Sequence, residues 1–256
     1  PMHTDEAVNG VMISQTLAGD PVNFDPSHYH GPLLRYLALP VVVMSDAFTG
    51  DGLTEASLRW LTALAGGLLV LVIILFRTEM GKDASFIALV FAAVSPPLVY
   101  YSRYFIHESV FVLFSLLFIY CLWRLFDEKS WRFAVWTGIL AGVLHAVRET
   151  VVFVLLAAAL ALLISFGRDR RNQLAWVTSR EGLQRLGLGA SCAIVVSVLF
   201  YSVFFTHWQG PIDSILTYFR YVPQGGHEKP WYYYLGLILG EKSVVGYWGQ
   251  AWILLL

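Results

Sequence analysis

The chain is poor in charged residues: Asp, Glu, Lys and Arg make up 14% of its 256 residues, whereas a soluble globular domain carries about 25%. So few charges cannot cover a water-facing surface, which excludes an ordinary soluble domain. A basic excess is also absent, because the formal net charge is −1, and this argues against nucleic acid as a partner. The two cysteines, Cys121 and Cys192, lie in separate apolar runs and imply no disulfide framework.

What the chain has instead is apolar sequence: 57% of its residues are hydrophobic and its mean hydropathy is +0.62. A helix that spans a bilayer needs about 20 mostly apolar residues. The sequence predicts six such helices, at residues 58–76, 84–104, 109–126, 133–147, 151–166 and 188–206. The fourth and fifth are short. They are either tilted helices shielded by neighbours or, as we favour, a helical hairpin with a tight turn at Arg148 and Glu149.

The predicted fold class is therefore all-α: a polytopic transmembrane helical bundle that forms a single domain over residues 1–256. Residues 1–57 form an outer loop with juxtamembrane helices, 58–206 hold the spanning helices, 207–243 form an aromatic-rich outer loop, and 244–256 begin a further helix. The chain starts without a signal peptide and stops inside an apolar run. We therefore expect it to be the N-terminal part of a longer chain, with a further span beyond each end.

Basic residues define the two sides of the predicted bundle, because they concentrate in three loops. They are Arg77 and Lys82, then Arg124, Lys129 and Arg132, then Arg168, Arg170, Arg171, Arg180 and Arg185. Basic loops lie on the cytoplasmic side of membrane proteins, and these three alternate correctly when all the predicted helices span. The outer side then carries the N-terminal segment, the turns at 104–108 and 148–149, and residues 207–243.

Residues 31–48 are also apolar, but they contain Pro32, Arg35 and Pro40. These residues suit a juxtamembrane helix better than a lone regular crossing. A crossing would place Asp5 on the side opposite Glu108, whereas a helix along the interface leaves both on the outer side. We favour the interfacial placement.

The first candidates for chemistry are acidic. Asp5 and Glu6 precede an amphipathic stretch at 8–17, and Glu108 follows Arg103 in the turn between two spans. The paired acids could simply cap a helix and complement its dipole, and Arg103 and Glu108 could simply mark the water boundary. The functional interpretation is a carboxylate that removes a proton from an acceptor hydroxyl, with Glu108 beside it and Arg103 against a phosphate.

Two further polar pairs could line an acceptor pocket. His28 and His30 lie in a turn-rich loop that could merely lead into the juxtamembrane helix, and Arg148 and Glu149 could merely form a turn. A divalent metal is also conceivable, since His and carboxylate ligands suit zinc or manganese, although no ligand spacing supports it. The residues that could hold such a metal are His3, Asp5, His28, His30 and Glu108.

Residues 225–234 combine a flexible backbone with cations and aromatic rings. This pattern is typical of an interfacial anchor. Alternatively, the segment forms a lip that meets a lipid-phosphate donor, with His227 or Lys229 on the phosphate and Trp231 and Tyr233 on the prenyl chain or sugar.

The order of these motifs resembles the polytopic glycosyltransferases of the GT-C class. The chain runs DEA, HGPLLRYL, LRW, SPPLVYYSRYFIHES, RET and HEKPWYYYL. This series is similar to family 39, the protein mannosyltransferase and aminoarabinose transferase type, and within it to the prokaryotic flippase-associated family 39-like proteins. The resemblance covers essentially the whole chain, as the N-terminal half of such a protein.

The resemblance implies roles for several residues. Family members carry a catalytic Asp-Glu pair in the first outer loop, which matches Asp5 and Glu6, with Asp5 as the base. The acid that follows their SR element matches Glu108, one methylene longer than the usual aspartate. Their HPPL segment, an outer juxtamembrane helix, matches the sequence from His30 to Leu33.

The expected function is transfer of a sugar from a polyprenyl-phosphate donor to an acceptor hydroxyl, with inversion, in a prokaryotic cytoplasmic membrane and on its outer face. Arg103 and Lys229 would stabilise the departing phosphate. Besides the donor, the expected partners are membrane lipid and other membrane proteins, not nucleic acid. The alternative is a non-enzymatic membrane subunit or scaffold, or a lipid-carrier transporter, which would more often place ionisable residues near mid-membrane in broken helices.

Overall fold

The computed structural model describes residues 2, 4–20, 24–26, 30–50, 52–165 and 170–220, together with 232, 241–243 and 246–248. The chain divides into two units, Pro1–Arg220 and Tyr221–Leu256. The helices of the first unit are α1 (Thr4–Leu17), α2 (Leu33–Thr49), α3 (Glu55–Val72), α4 (Arg77–Met80), α5 (Lys82–Val94), α6 (Pro96–Tyr101), α7 (His107–Glu128), α8 (Trp131–Val147), α9 (Val151–Ser165), α10 (Arg170–Thr178), α11 (Arg180–Tyr201) and α12 (Gln209–Arg220).

Within the described ranges, three helical stretches are long and apolar enough to cross a membrane: Glu55–Met80, His107–Glu128 and Arg180–Tyr201. The first comprises α3, a 3₁₀ turn at Ile73–Phe76, and α4. Helices α8 and α9 are shorter but apolar, and α9 turns side chains such as Phe153 and Ile164 outward. An all-helical bundle with this exposed apolar surface is a membrane protein, which confirms the predicted fold class.

The predicted helix at 84–104 is broken in the structure. Helix α5 ends at Val94, Ser95 is extended with ψ 117°, and α6 begins at Pro96. Pro96 and Pro97 have no backbone N–H to donate, and a proline disfavours helical backbone at the residue before it. The apolar run therefore forms two helices, and the break lies beside Arg103 and the turn that follows α6.

The basic loops meet at one end of the bundle. The ring of Phe76, next to the first loop, packs on Tyr120 of α7 at 5.4 Å between centroids. Lys129, in the second loop, lies over the ring of Trp176 in α10 at 5.8 Å. Helix α7 runs from this basic end to the opposite end of the bundle, the acidic end, where Asp5, Glu6, Glu108 and Glu149 lie. Its 22 residues span about 33 Å, which is close to the thickness of a bilayer core.

Small residues let α8 pack closely against α11. A methyl group built on Gly138 would collide with the carbonyl of Gly189, and one on Gly142 would meet the carbonyl of Ala193. Helices in lipid associate through such close backbone contacts, because the hydrophobic effect does not drive association in an apolar solvent. By contrast, α9 makes few contacts with α8, although only the short turn 148–150 separates them.

Helix α2 begins and ends close to residues of the acidic end. Its buried face, Leu34, Ala38 and Val42, packs into the core. Gly31, two residues before the helix, lies so close to the carbonyl of Ala146 at the end of α8 that no side chain would fit. Helix α3 begins at Glu55, a few residues after α2, and starts at the same end. The juxtamembrane placement of α2 stays a prediction.

Two segments differ from the sequence-based expectation. The predicted outer loop at 207–243 contains a regular helix, α12. Residues 244–256 were expected to begin a further helix, but Gly246–Trp248 is instead a strand, β2, that pairs antiparallel with β1, Glu241–Ser243. Aromatic residues favour strands and glycine disfavours helix, which accounts for the strand at these residues.

The α8–α11 packing generates a stability prediction. We expect Gly138→Ala to lower the free energy of unfolding in detergent by roughly 1–3 kcal/mol, because the added methyl overpacks a backbone contact. The matched control is Gly67→Ala in α3, where a methyl group meets nothing within 4 Å and helix propensity predicts a gain of about 0.5–1 kcal/mol. Thermal unfolding of both variants measures the difference. Equal transitions would contradict the close packing of α8 on α11.

Candidate functional site

The centre of the acidic end is an ion pair between the buried carboxylate of Glu6 and the partly exposed Arg59. The Glu6 side chain is fully buried, and Arg59 donates from Nε to its Oε1 and from a terminal nitrogen to its Oε2, each at 2.7 Å. The backbone N–H of Phe105 donates to the same carboxylate at 3.1 Å. Bidentate, charge-assisted bonds of this kind are strong and fix geometry.

This ion pair brings together the two acidic turns that the sequence analysis singled out. Asn9 of α1 donates to the Phe105 carbonyl at 3.3 Å, and the Arg59 guanidinium lies 5.5 Å from the ring centroid of Tyr104. The first turn of α1 is therefore held against the turn before α7. Asp5, the neighbour of Glu6, is exposed at this end.

A second group of charges extends from the start of α7. Arg148 donates to Glu108 at 2.7 Å and lies 4.0 Å from the carboxylate of Glu149. Glu149 in turn faces His30, with 3.0 Å between Oε2 and Nδ1. Carboxylates and basic groups alternate along this series of ion pairs. The series joins three separate segments: the loop before α2, the first turn of α7, and the α8–α9 turn.

The environment of Glu149 lowers its pKa. Burial alone would raise the pKa, but the hydrogen bond and charge of His30, a backbone hydrogen bond and the charge of Arg148 together lower it below the ordinary value of 4.5. The carboxylate form is therefore the form that the fold stabilises.

Two aromatic contacts complete the group. The ring of buried His107 packs edge-on against His30, 5.0 Å between centroids, and the Tyr218 hydroxyl of α12 donates to the Glu149 carbonyl at 3.0 Å. Tyr218 was not predicted, because a lone tyrosine in a polar segment carries no signal. Arg59 was not predicted either, although it is an isolated charge in the LRW motif at the start of an apolar run, and such isolation was the available clue to a buried partner.

Arg103 takes part in neither group of ion pairs. It lines an open cavity of about 410 Å³ with Val94, Pro96 and Val99 on the apolar side and Tyr100 and Tyr104 beside it. The cavity lies at the break between α5 and α6. Within the part of the chain that the structure describes, the Arg103 guanidinium has no carboxylate partner, so it can receive an anion.

Several predicted site residues lie outside the described residues, and the structure assigns no position to them. They are His3, His28, His227, Lys229, Trp231 and Tyr233. Among the residues that are described, no group of three or more His, Cys, Asp or Glu side chains could hold a metal ion. Glu108 and His30, two of the conceivable ligands, instead bind Arg148 and Glu149.

The fold and this site define an integral membrane protein whose polar groups converge at one boundary of an apolar helical bundle. The family model for dolichyl-phosphate-mannose-protein mannosyltransferases matches residues 43–184, and the chain belongs to this family. It is accordingly a membrane glycosyltransferase that takes its sugar from a polyprenyl-phosphate donor. Comparisons with curated proteins and with solved structures found no match.

The family match includes only part of the site. Arg59, Arg103, Glu108, Arg148 and Glu149 lie within the matched residues, whereas α1, the loop before α2, and α12 lie outside them. The contacts of Glu6 and His30 therefore come from the structure of this chain alone.

The ion pair between Glu6 and Arg59 leads to the second prediction. Arg59→Leu leaves the Glu6 carboxylate buried without its counter-charge, and we expect a loss of about 3–5 kcal/mol of stability. Adding Glu6→Gln should recover much of this loss, because the amide oxygen still accepts from Phe105. As a control, Glu181→Gln breaks an exposed pair with Arg185 and should cost at most about 1 kcal/mol. Arg59→Leu protein as stable as the control would contradict a structural role for the pair.

The lowered pKa of Glu149 leads to the third prediction. A lowered pKa means that Glu149 contributes stability above its ordinary value of 4.5, and that this contribution is lost as the pH falls through the lower folded-state pKa. The melting temperature of wild type should therefore exceed that of Glu149→Gln near neutral pH, and the difference should shrink on acidification. A difference that stays constant or grows as the pH falls would show that the carboxylate charge is not what stabilises this turn.

Proposed function

We propose that the protein transfers a sugar from a polyprenyl-phosphate donor to an acceptor hydroxyl on the extracytoplasmic face of a prokaryotic cytoplasmic membrane, with inversion at the anomeric carbon. The observation that carries this proposal is the Glu6 carboxylate, which binds both Arg59 and the Phe105 N–H. It holds the first turn of α1, and with it Asp5, against the turn that carries Arg103 and Glu108.

Asp5 is the proposed general base. It is exposed in the first turn of α1, whereas Glu6 is fully buried and paired, so Asp5 is the member of the pair that an acceptor can reach. Its carboxylate takes the proton of the acceptor hydroxyl as that oxygen bonds to the anomeric carbon. The bond between this carbon and the phosphate oxygen breaks, and polyprenyl phosphate leaves with the electron pair.

Arg103 is the proposed phosphate ligand. Negative charge grows on the phosphate as the sugar departs, and a preorganised guanidinium stabilises that charge. The cavity beside Arg103 supports this role, because its lining changes from apolar residues to tyrosines and an arginine over a short distance. An amphipathic donor presents the same change, from prenyl chain to phosphate to sugar. The expected roles of His227, Lys229, Trp231 and Tyr233 in donor binding stay predictions from the sequence.

The second group of charges is proposed to frame the acceptor. Glu108 and Glu149 each bind a basic partner, Arg148 and His30 respectively. Carboxylates fixed in this way orient neighbouring groups without themselves taking a proton. The role of His28, which lies outside the described residues, stays a prediction from the sequence.

The outward direction of the site follows from charge. The acidic end lies opposite the loops that concentrate Arg and Lys, and such loops face the cytoplasm. Charged side chains of the described spanning helices also lie near the helix ends. Their placement fits chemistry at the membrane boundary better than the mid-membrane sites of a transporter.

The test of this function is Asp5→Asn in the full-length protein. With labelled polyprenyl-phosphate sugars and isolated membranes, we expect the turnover number to fall by at least about 10²-fold, the lower limit for loss of a general base, while membrane insertion and melting temperature stay unchanged. Asp20→Asn, a change of another exposed aspartate outside the helices, is the matched control and should keep full activity. Full activity of Asp5→Asn would remove Asp5 from the mechanism.

A further inference from the structure

Helix α12 is oriented in an unusual way for a helix packed on a protein. The side chains that it buries are small or polar, namely Gly210, Ser214 and Thr217, whereas Ile212, Ile215 and Phe219 are exposed, Phe219 by 82%. At about 100° per residue, each trio falls within an arc of about 60°, and the two arcs are opposite each other. The face turned away from the protein is therefore the apolar one.

A third face of α12 is polar. Gln209, Asp213 and Arg220 lie about a third of a turn from the apolar stripe, and Gln209 donates to Asp213 at 3.3 Å. A helix that lies in a membrane interface needs this division, with an apolar stripe toward the acyl chains and a polar flank toward water. A second protein that covered the stripe would not require a polar flank at this angle.

The small face of α12 fixes the helix to the rest of the first unit. Gly210 lies against the carbonyl of Tyr201, the last residue of α11, so closely that a side chain would not fit. At the other end of the helix, Tyr218 donates to the Glu149 carbonyl and stacks on His145. The outward direction of the apolar stripe is therefore determined by contacts at both ends.

The turn before α12 exposes further apolar rings at the same level. Val203, Phe204 and Phe205 all adopt left-handed backbone, with φ of 52°, 53° and 70°, a conformation unfavourable for such residues. Ser202 holds it: its carbonyl accepts from the His207 N–H at 2.8 Å and its hydroxyl from the Phe205 N–H at 2.9 Å. The turn ends the spanning helix α11 and leaves the rings of Phe204 and Phe205 about half exposed.

We infer that α12 is a lipid-binding helix, which seats the acidic end of the bundle on the bilayer surface through Ile212, Ile215 and Phe219. The occupant of the stripe is the boundary between headgroups and acyl chains. The stripe begins where α11 ends, and α11 itself exposes apolar side chains such as Ile194 and Val195. The apolar surface of the bundle therefore continues onto α12 at the level where a bilayer ends.

The inference is tested by the depth of probes on α12 in the full-length protein, reconstituted in phosphatidylcholine–phosphatidylglycerol vesicles. In a variant without native cysteines, an environment-sensitive fluorophore is attached at Phe219→Cys or, as the matched control on the polar flank, at Gln209→Cys. We expect the probe at 219 to emit at shorter wavelength and to be quenched several-fold more by brominated lipid than by aqueous iodide. The probe at 209 should show the reverse preference.

Two outcomes would overturn the inference. Iodide quenching at 219 equal to that at 209 would place the stripe in water. Protection of 219 from both quenchers would place the stripe against protein, either a second copy or another partner. The readout does not involve sugar transfer, so its failure and the failure of the proposed function are separate results. A labelled variant is scored only if its melting temperature and vesicle insertion match those of the cysteine-free protein.

Discussion

The buried carboxylate of Glu6 is the interaction on which the rest of the acidic end depends. A charge removed from water is costly unless a counter-charge and hydrogen bonds satisfy it, and Glu6 has Arg59 on both oxygens and the Phe105 N–H on one. Three segments that are far apart in sequence must therefore meet at one point. Because the cost of losing any of these partners is high, the arrangement of α1, α3 and the turn before α7 is fixed before any substrate binds.

Further ion pairs lie at the acidic end, and their carboxylates are more exposed than that of Glu6. Glu108, Arg148, Glu149 and His30 form a chain of alternating charge, and its members remain partly accessible. The carboxylate of Glu6 is buried and fixes the backbone, whereas the carboxylates of Glu108 and Glu149 are partly open to solvent. Tyr218 of α12 donates to the Glu149 carbonyl. The helix that we infer to contact lipid therefore also contacts the α8–α9 turn, which carries two of these charges.

The sequence predicted the features that depend on local composition. The apolar runs predicted an all-helical membrane bundle, which the structure confirms, although three of the described helical stretches, not six, are long and apolar enough to span. The assignment of the basic loops to the cytoplasmic side stays a prediction. The break at Ser95 was readable from Pro96 and Pro97 but was overlooked within a long apolar run. The pairing of Glu6 with Arg59 or of His30 with Glu149 was not readable, because these partners lie 53 and 119 residues apart and several basic residues competed for each acid. Helix α12 was missed because the whole helix has only twelve residues.

Adjacent residues in a helix point about 100° apart, and this explains how two neighbouring acids acquire different roles. If one side chain of the pair points into the bundle and pairs with an arginine, the other must point elsewhere. Asp5 is accordingly exposed, whereas Glu6 is buried. The buried acid sets the rotation of α1, and that rotation decides where the exposed acid lies. Glu6 is therefore the structural member of the Asp-Glu pair, and Asp5 is the member that we propose for the chemistry. This difference between the two acids follows from helix geometry together with a single arginine.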